Sequence, residues 1–250
     1  MPTPLLIAIL AVSAVVTSFI SGILGMAGGL ILMGVLLAVM SVPAAMMLHG
    51  ITQLASNCWR AFLWRGYVDW RVFRGYLYGS LAMLALFAAF QFVVSKPVAL
   101  IVMGLTPFAA LALPESLHLN VERRGHASLC GGVCTILSLT AGVSGPILDV
   151  FFVRSGMTRH AVVATKATTQ SLSHTLKIAY FGGILAVGGD LVEPWLGVMM
   201  VALAFVGTTL STRVLEKMND TSFRTWTRRV VMVIGVAYLA SGVLLLMGTH

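Results

Sequence analysis

The sequence predicts an all-α, polytopic transmembrane helical bundle of two inverted-topology repeats, with about eight full spans and two short, discontinuous helices. Three observations predict it. The 250-residue chain is 58% hydrophobic and only 10% charged, too few polar residues to clothe a soluble domain of that size. Apolar runs of about 20 residues recur along its whole length, and such a run crosses a bilayer as a helix because backbone at that depth must satisfy its own hydrogen bonds. Finally, a polar cassette interrupts two of these runs at a constant offset of 117 residues, placing Gln53 onto Gln170.

Ten apolar segments follow from this reading. The first, 4–24, lacks the basic start and small-residue cleavage site of a signal peptide and is expected to remain as a membrane segment. The second, 28–40, follows the glycine run Gly22-Ile23-Leu24-Gly25-Met26-Ala27-Gly28-Gly29, and the third, 43–64, carries the first cassette. Segments 73–94 and 97–113 flank a turn at Pro97 and close the first repeat, 1–113. A cytoplasmic linker, 114–125, leads to the second repeat, 126–250. There, segment 126–142 precedes a second break, Gly142-Val143-Ser144-Gly145-Pro146, and a short segment at 145–153. Segment 160–182 carries the second cassette, and 192–212 and 229–247 complete the set. The second and seventh segments are too short to cross about 30 Å as ordinary helices. Interrupted helices at matching places in two halves point to a transporter binding site.

Charge then orients the chain. The net charge is +8, and the basic residues fall mainly in short connections. Arg65, Arg71 and Arg74 surround Asp69; Arg123 and Arg124 share a loop; Arg154 and Arg159 flank another; and Arg213, Lys217, Arg224, Arg228 and Arg229 occupy the last. The connection at Asp190 and Glu193 has no basic residue, and the Pro97 turn has only Lys96. Placing the basic loops in the cytoplasm puts both termini on the periplasmic side. It also makes segment 43–64 end in the cytoplasm where its partner 160–182 begins. Five segments per half, an odd number, thus give halves of opposite orientation. The basic residues are topological in this reading, and no nucleic-acid motif accompanies them.

The cassettes read His49-Gly50-Ile51-Thr52-Gln53-Leu54-Ala55-Ser56-Asn57-Cys58-Trp59-Arg60 and Lys166-Ala167-Thr168-Thr169-Gln170-Ser171-Leu172-Ser173-His174-Thr175-Leu176-Lys177. At 100° per residue, His49, Gln53, Ser56, Asn57 and Arg60 share an arc of about 100°, as do Lys166, Gln170, Ser173, His174 and Lys177. In antiparallel arrangement Arg60 and Lys166 approach the cytoplasmic side and His49 and Lys177 the outer side. The product is a polar lane with amides and hydroxyls at its centre and a cation towards each mouth. Such a lane suits a small anion: neutral donors hold it without trapping it, and mouth cations draw it in. Free N–H groups where the short helices start, near Gly28, Gly29 and Gly145, add partial positive charge. Against this stands ordinary interhelical hydrogen bonding, worth about 0.6 kcal/mol per contact. Arg60 and Lys177 lie within about two turns of their predicted helix ends, where long cations snorkel to the interface.

Asp149 is the only acid well inside an apolar segment. It reads either as a proton-coupling carboxylate or as the fixed partner of Lys166 or Arg154, and His174 is a second candidate proton carrier. Cys58, Cys130 and Cys134 read as packing residues, since two thiols without a nearby His or acid make a poor metal site. No Walker sequence, metal-ligand spacing or catalytic carboxylate pair is present, so the expectation is a non-enzyme without cofactor or resident metal. Its partners are a small anion and the lipid bilayer, with protons as a candidate coupling ion, and a homo-oligomer is compatible with the sequence.

These features resemble the TauE/SafE family of sulfite-exporter-like membrane proteins. The carrying residues are the run Gly22 to Gly29 with the small helix after it, and Ala44 to Gly66 ending in Arg65-Gly66-Tyr67-Val68-Asp69-Trp70. In the second half they are Ala164-Thr165-Lys166-Ala167 through Lys177-Ile178-Ala179-Tyr180-Phe181-Gly182. The resemblance covers nearly the whole chain and implies a bacterial inner-membrane carrier of sulfite, organosulfonates or related anions. The chain departs from it where Gly34 stands near the place of a usual proline and where the second glycine run is shortened and followed by Asp149. The expectation is therefore a secondary transporter of a small sulfur oxyanion. Gln53, Ser56, Asn57, Arg60, Lys166, Gln170, Ser173 and Lys177 would contact or attract it, with His49, Asp149 and His174 behind them. The rivals are a non-transporting membrane assembly or sensor subunit and a cation or metal carrier.

Overall fold

The computed structural model describes residues 3–24, 26–188, 192–215 and 220–248, with backbone alone for 22–24, 115, 212–215 and 220–227. Gly25 of the first glycine run, Asp190 and Lys217 lie outside the described residues, as do the side chains of Arg213 and Arg224. The described chain is all-helical, without a strand. Its ten α-helices are α1 Pro4–Leu24, α2 Ala27–Val39, α3 Val42–Leu63, α4 Trp70–Phe90, α5 Lys96–Ala112, α6 His126–Thr140, α7 Gly145–Phe152, α8 Arg159–Gly188, α9 Pro194–Leu215 and α10 Asp220–Leu246. Short 3₁₀ turns at Arg65–Tyr67 and Glu115–Leu117 complete the regular structure.

Local chemistry sets the starts of these elements. Pro43, Pro97 and Pro146 stand in the first turns of α3, α5 and α7, where a missing N–H costs nothing. Asp69 caps α4, its carboxylate accepting from the Arg71 and Val72 N–H groups at 2.9 and 3.0 Å, which satisfies donors that the first helical turn leaves over. Gly142, at φ +76°, makes the turn ahead of α7, a left-handed conformation that residues with a Cβ rarely adopt.

Among the described residues, four helices are long and apolar enough to cross a membrane: α1, α4, α9 and α10. The 13-residue α2 and 8-residue α7 rise only about 20 and 12 Å, so neither spans alone. The cassette helices α3 and α8 fall outside the apolar four because their polar faces lower their hydropathy.

The helices pack in a patterned way. α3 lies along α8 and α5 along α10. α1 packs on α9 as α4 packs on α6, and α3 meets α9 as α8 meets α4. α1 touches α2 as α6 touches α7, and α2 meets α10 as α7 meets α5. Close approach is bought by small residues: a Cβ at Gly79 would collide with the Ser128 carbonyl across α4–α6, and one at Gly207 with the Val15 carbonyl across α1–α9. Without a water-driven hydrophobic effect between helices, such backbone-to-backbone contact supplies the packing energy in lipid. Two buried apolar clusters result. The larger is centred on α2, α3 and α5, and the smaller joins Val72 and Tyr76 of α4 to Cys130 and Cys134 of α6 and Leu148 and Phe151 of α7.

Candidate functional site

The α3 and α8 helices run antiparallel along their lengths. At one end the Trp64 and His160 rings lie 4.7 Å apart and the Asp69 N–H donates to Thr165 Oγ1 at 2.9 Å. At the other end Lys177 reaches His49. The predicted order of the cassettes is therefore the observed one, with Arg60 and Lys166 towards the first end and His49 and Lys177 at the second.

The second end is closed by a compact network. A carbonyl oxygen only accepts, so the 3.0 Å contact of His49 Nε2 with the Gly29 carbonyl places the ring proton on Nε2. His49 Nδ1 then accepts from Lys177 Nζ at 2.8 Å, and the same Nζ donates to the Gly142 carbonyl at 2.8 Å. Two side chains thus tie together both glycine breaks. The breaks also touch directly: a Cβ on Gly145 would lie 2.9 Å from Met26 Cβ. Here the structure corrects the sequence reading. α8 continues through Gly182 and Gly183 to Gly188, so Lys177 stands well inside the helix. It is fully buried and does not snorkel.

Polar groups gather nearer the middle. Gln53 lies over the start of α2, its side-chain amide within about 3.7 Å of where a Gly29 Cβ would stand. Gln53 and Ser56 are buried, yet their side chains form no hydrogen bond among the described residues. His174 Nδ1 and Arg60 Nε are also buried without partners, and the His174 ring sits 5.7 Å from that of His49. Leaving His174 Nδ1 and Arg60 Nε unsatisfied costs about 1–3 kcal/mol each; outside the lane the Thr135 and Thr208 hydroxyls are buried without partners in the same way.

Other expected contacts are engaged differently. Asn57 donates to the Gln53 carbonyl and accepts from Arg60 Nη2, both at 2.8 Å. Both ends of its amide are therefore occupied, and it braces Arg60 instead of pointing a free donor into the lane. Ser173 pairs with the Tyr76 hydroxyl at 2.7 Å. Tyr76, fully buried on α4, was missed in the sequence, although a hydroxyl ring amid an apolar run needs a polar partner. Gln170 is half-buried and, among the described residues, makes no side-chain hydrogen bond.

The carboxylate of Asp149, from α7, forms an ion pair with Lys166 of α8, one of the two pairings the sequence left open. A Cβ on Gly28 would meet the Thr17 carbonyl and Ser21 of α1, whereas one on Gly29 would face Gln53. Cys130 and Cys134 sit 3.9 Å apart in the smaller cluster, and Cys58 is exposed. Among the described residues no group of three or more His, Cys, Asp or Glu gathers as a metal site.

The family model described as sulfite exporter TauE/SafE matches residues 9–238 of the chain. No curated protein and no solved structure matches it.

Proposed function

The chain belongs to the sulfite exporter TauE/SafE family, a family of membrane transporters, and from that premise we propose that it moves sulfite, an organosulfonate or a related sulfur oxyanion across the bacterial inner membrane by alternating access. The path is the lane between α3 and α8. The observation that carries this reading is a set of polar groups without protein partners there: the buried His174 Nδ1 and Arg60 Nε, and the Gln53 amide and Ser56 hydroxyl, which form no hydrogen bond among the described residues. An oxyanion has several acceptor atoms and meets such donors at once, with charge assistance from the guanidinium.

The paired packing of the helices supports two inverted repeats, 1–113 and 126–250, joined by the linker 114–125. Exchanging the first five helices for the second five maps most of the helix contacts onto one another, as a two-fold axis in the membrane plane requires. With the basic loops in the cytoplasm, both termini lie in the periplasm and the His49–Lys177 network closes the outer end. Opening to that side would part Lys177 from His49 and separate the two breaks. Proton coupling, where present, runs through Asp149 or His174, the titratable groups facing the lane beside cations.

The test is flux in vesicles reconstituted with purified protein. Sulfite or a short sulfonate is expected to accumulate down an imposed gradient, and Gln170→Leu is expected to abolish flux while inserting normally. Absence of flux for every oxyanion in wild-type vesicles would overturn the transport reading in favour of an assembly or sensor subunit.

A further inference from the structure

We infer that the cavity between the first turns of α4 and α6 binds the phosphate of an anionic lipid headgroup. This cavity, of about 220 Å³, is separate from the lane. It is lined by three arginines, Arg71 from α4 and Arg123 and Arg124 from the loop before α6, by the acids Asp69 and Glu122, and by the buried apolar Val72, Val121 and Ala127.

The charges in it are unequally employed. Both acids have structural tasks. Asp69 caps α4 through Oδ1, and Glu122 Oε2 accepts from the Gly156 N–H at 2.6 Å. Among the described residues, the side chains of Arg71, Arg123 and Arg124 have no ion pair or hydrogen bond. The start of α6, where Gly125 supplies no side-chain cap, lines the same cavity, and its helix dipole adds to the positive potential. Arginines gathered at an uncapped helix start match the chemistry of a phosphate.

Depth selects a lipid over a free ion. Trp64, Tyr67 and Trp70 are exposed immediately beside the start of α4, the arrangement of an aromatic belt at headgroup level. Deeper along the same two helices, Tyr78, Leu81, Leu129 and Ile136 are exposed, an apolar surface on which acyl chains lie. A headgroup phosphate seated among the arginines would leave its chains against α4 and α6 in the cytoplasmic leaflet.

The test is binding, so its outcome is independent of transport through the lane. Delipidated protein in neutral detergent is titrated with phosphatidylglycerol, with phosphatidylcholine of the same chains, and with inorganic phosphate, reading retained lipid by native mass spectrometry and thermal stability in parallel. Phosphatidylglycerol is expected to bind and raise the melting temperature where the other two do not. Replacing all three arginines, R71Q/R123Q/R124Q, is expected to weaken it on the order of a hundredfold, from the loss of three near-surface charges, while R71K/R123K/R124K, which keeps the charges but not the bidentate forks, recovers part of the binding. Equal retention of the two lipids by the wild type, or unchanged phosphatidylglycerol binding in the glutamine variant, would overturn the assignment. Saturation by inorganic phosphate alone would overturn the lipid in favour of a free-anion site.

Discussion

Lys177 and His49, 128 residues apart in the chain, meet at 2.8 Å in the interior, and between them they hold the carbonyls of both chain breaks. The relationship matters because short helices set off by glycine breaks are not anchored by length. One link fixes where α2 and α7 begin relative to α3 and α8. A change at this link is therefore felt by both halves.

Lys177→Met is expected to strand His49 Nδ1 and the Gly142 carbonyl. Each loses about 1–3 kcal/mol of satisfaction in an interior without water, enough to lower the melting temperature of detergent-purified protein by several degrees. Thermal denaturation checks this. A lysine serving only to attract substrate at a mouth would leave the melting temperature unmoved and raise the KM for uptake instead.

Gln53→Leu, like Gln170→Leu, is expected to abolish oxyanion flux with little change in stability. The Gln53 amide has no hydrogen-bond partner among the described residues, so its removal strands nothing in the resting protein. Vesicle flux and melting temperature measured together separate a substrate contact from interhelical glue, which would lose stability and keep some transport.

The ten helices were legible because membrane segments are written in hydropathy: each predicted segment finds its helix, with most ends shifted by a few residues. The largest shifts are at the start of α10, predicted at 229 and observed at Asp220, and at the end of α8, predicted at 182 and observed at Gly188. The helix runs through Gly182 and Gly183, where nothing packs within 4 Å of the Cβ positions. The cassette was legible as a face because helical periodicity is regular. Its division of labour was not. That Gly28 packs on α1 and that Ser173 answers to Tyr76 depend on contacts between distant segments, which spacing within one helix does not encode; the Asn57–Arg60 bond is local to α3, an i, i+3 contact that the spacing permits without selecting.

Asn57→Ala tests the brace. With the amide gone, Arg60 Nη2 loses its 2.8 Å acceptor and the guanidinium is free to swing towards the helix end only a few residues away. Transport is expected to show a KM raised about tenfold, the equivalent of one charge-assisted hydrogen bond, with the maximal rate less affected. Asn57→Asp, which keeps an acceptor for Arg60, is expected to recover part of the loss. An equal defect in both variants would point to the bond with the Gln53 carbonyl instead.

The ion pair of Asp149 and Lys166 admits a sharper question, whether it holds α7 in place or carries protons. Its side chains are 38% and 26% exposed, so solvent screens the pair and its contribution to stability is about 1 kcal/mol or less. A structural pair predicts that Asp149→Asn and Lys166→Met each impair flux and that the double substitution restores it, because no lone charge is left in the lane. A coupling carboxylate predicts otherwise. Asp149→Asn would then leave downhill oxyanion flux running while removing its response to an imposed pH gradient, and no change at Lys166 would bring that response back. Measuring flux with and without the gradient across the three variants assigns the role, since only a group that gains and loses the proton during the cycle can abolish coupling without abolishing passage.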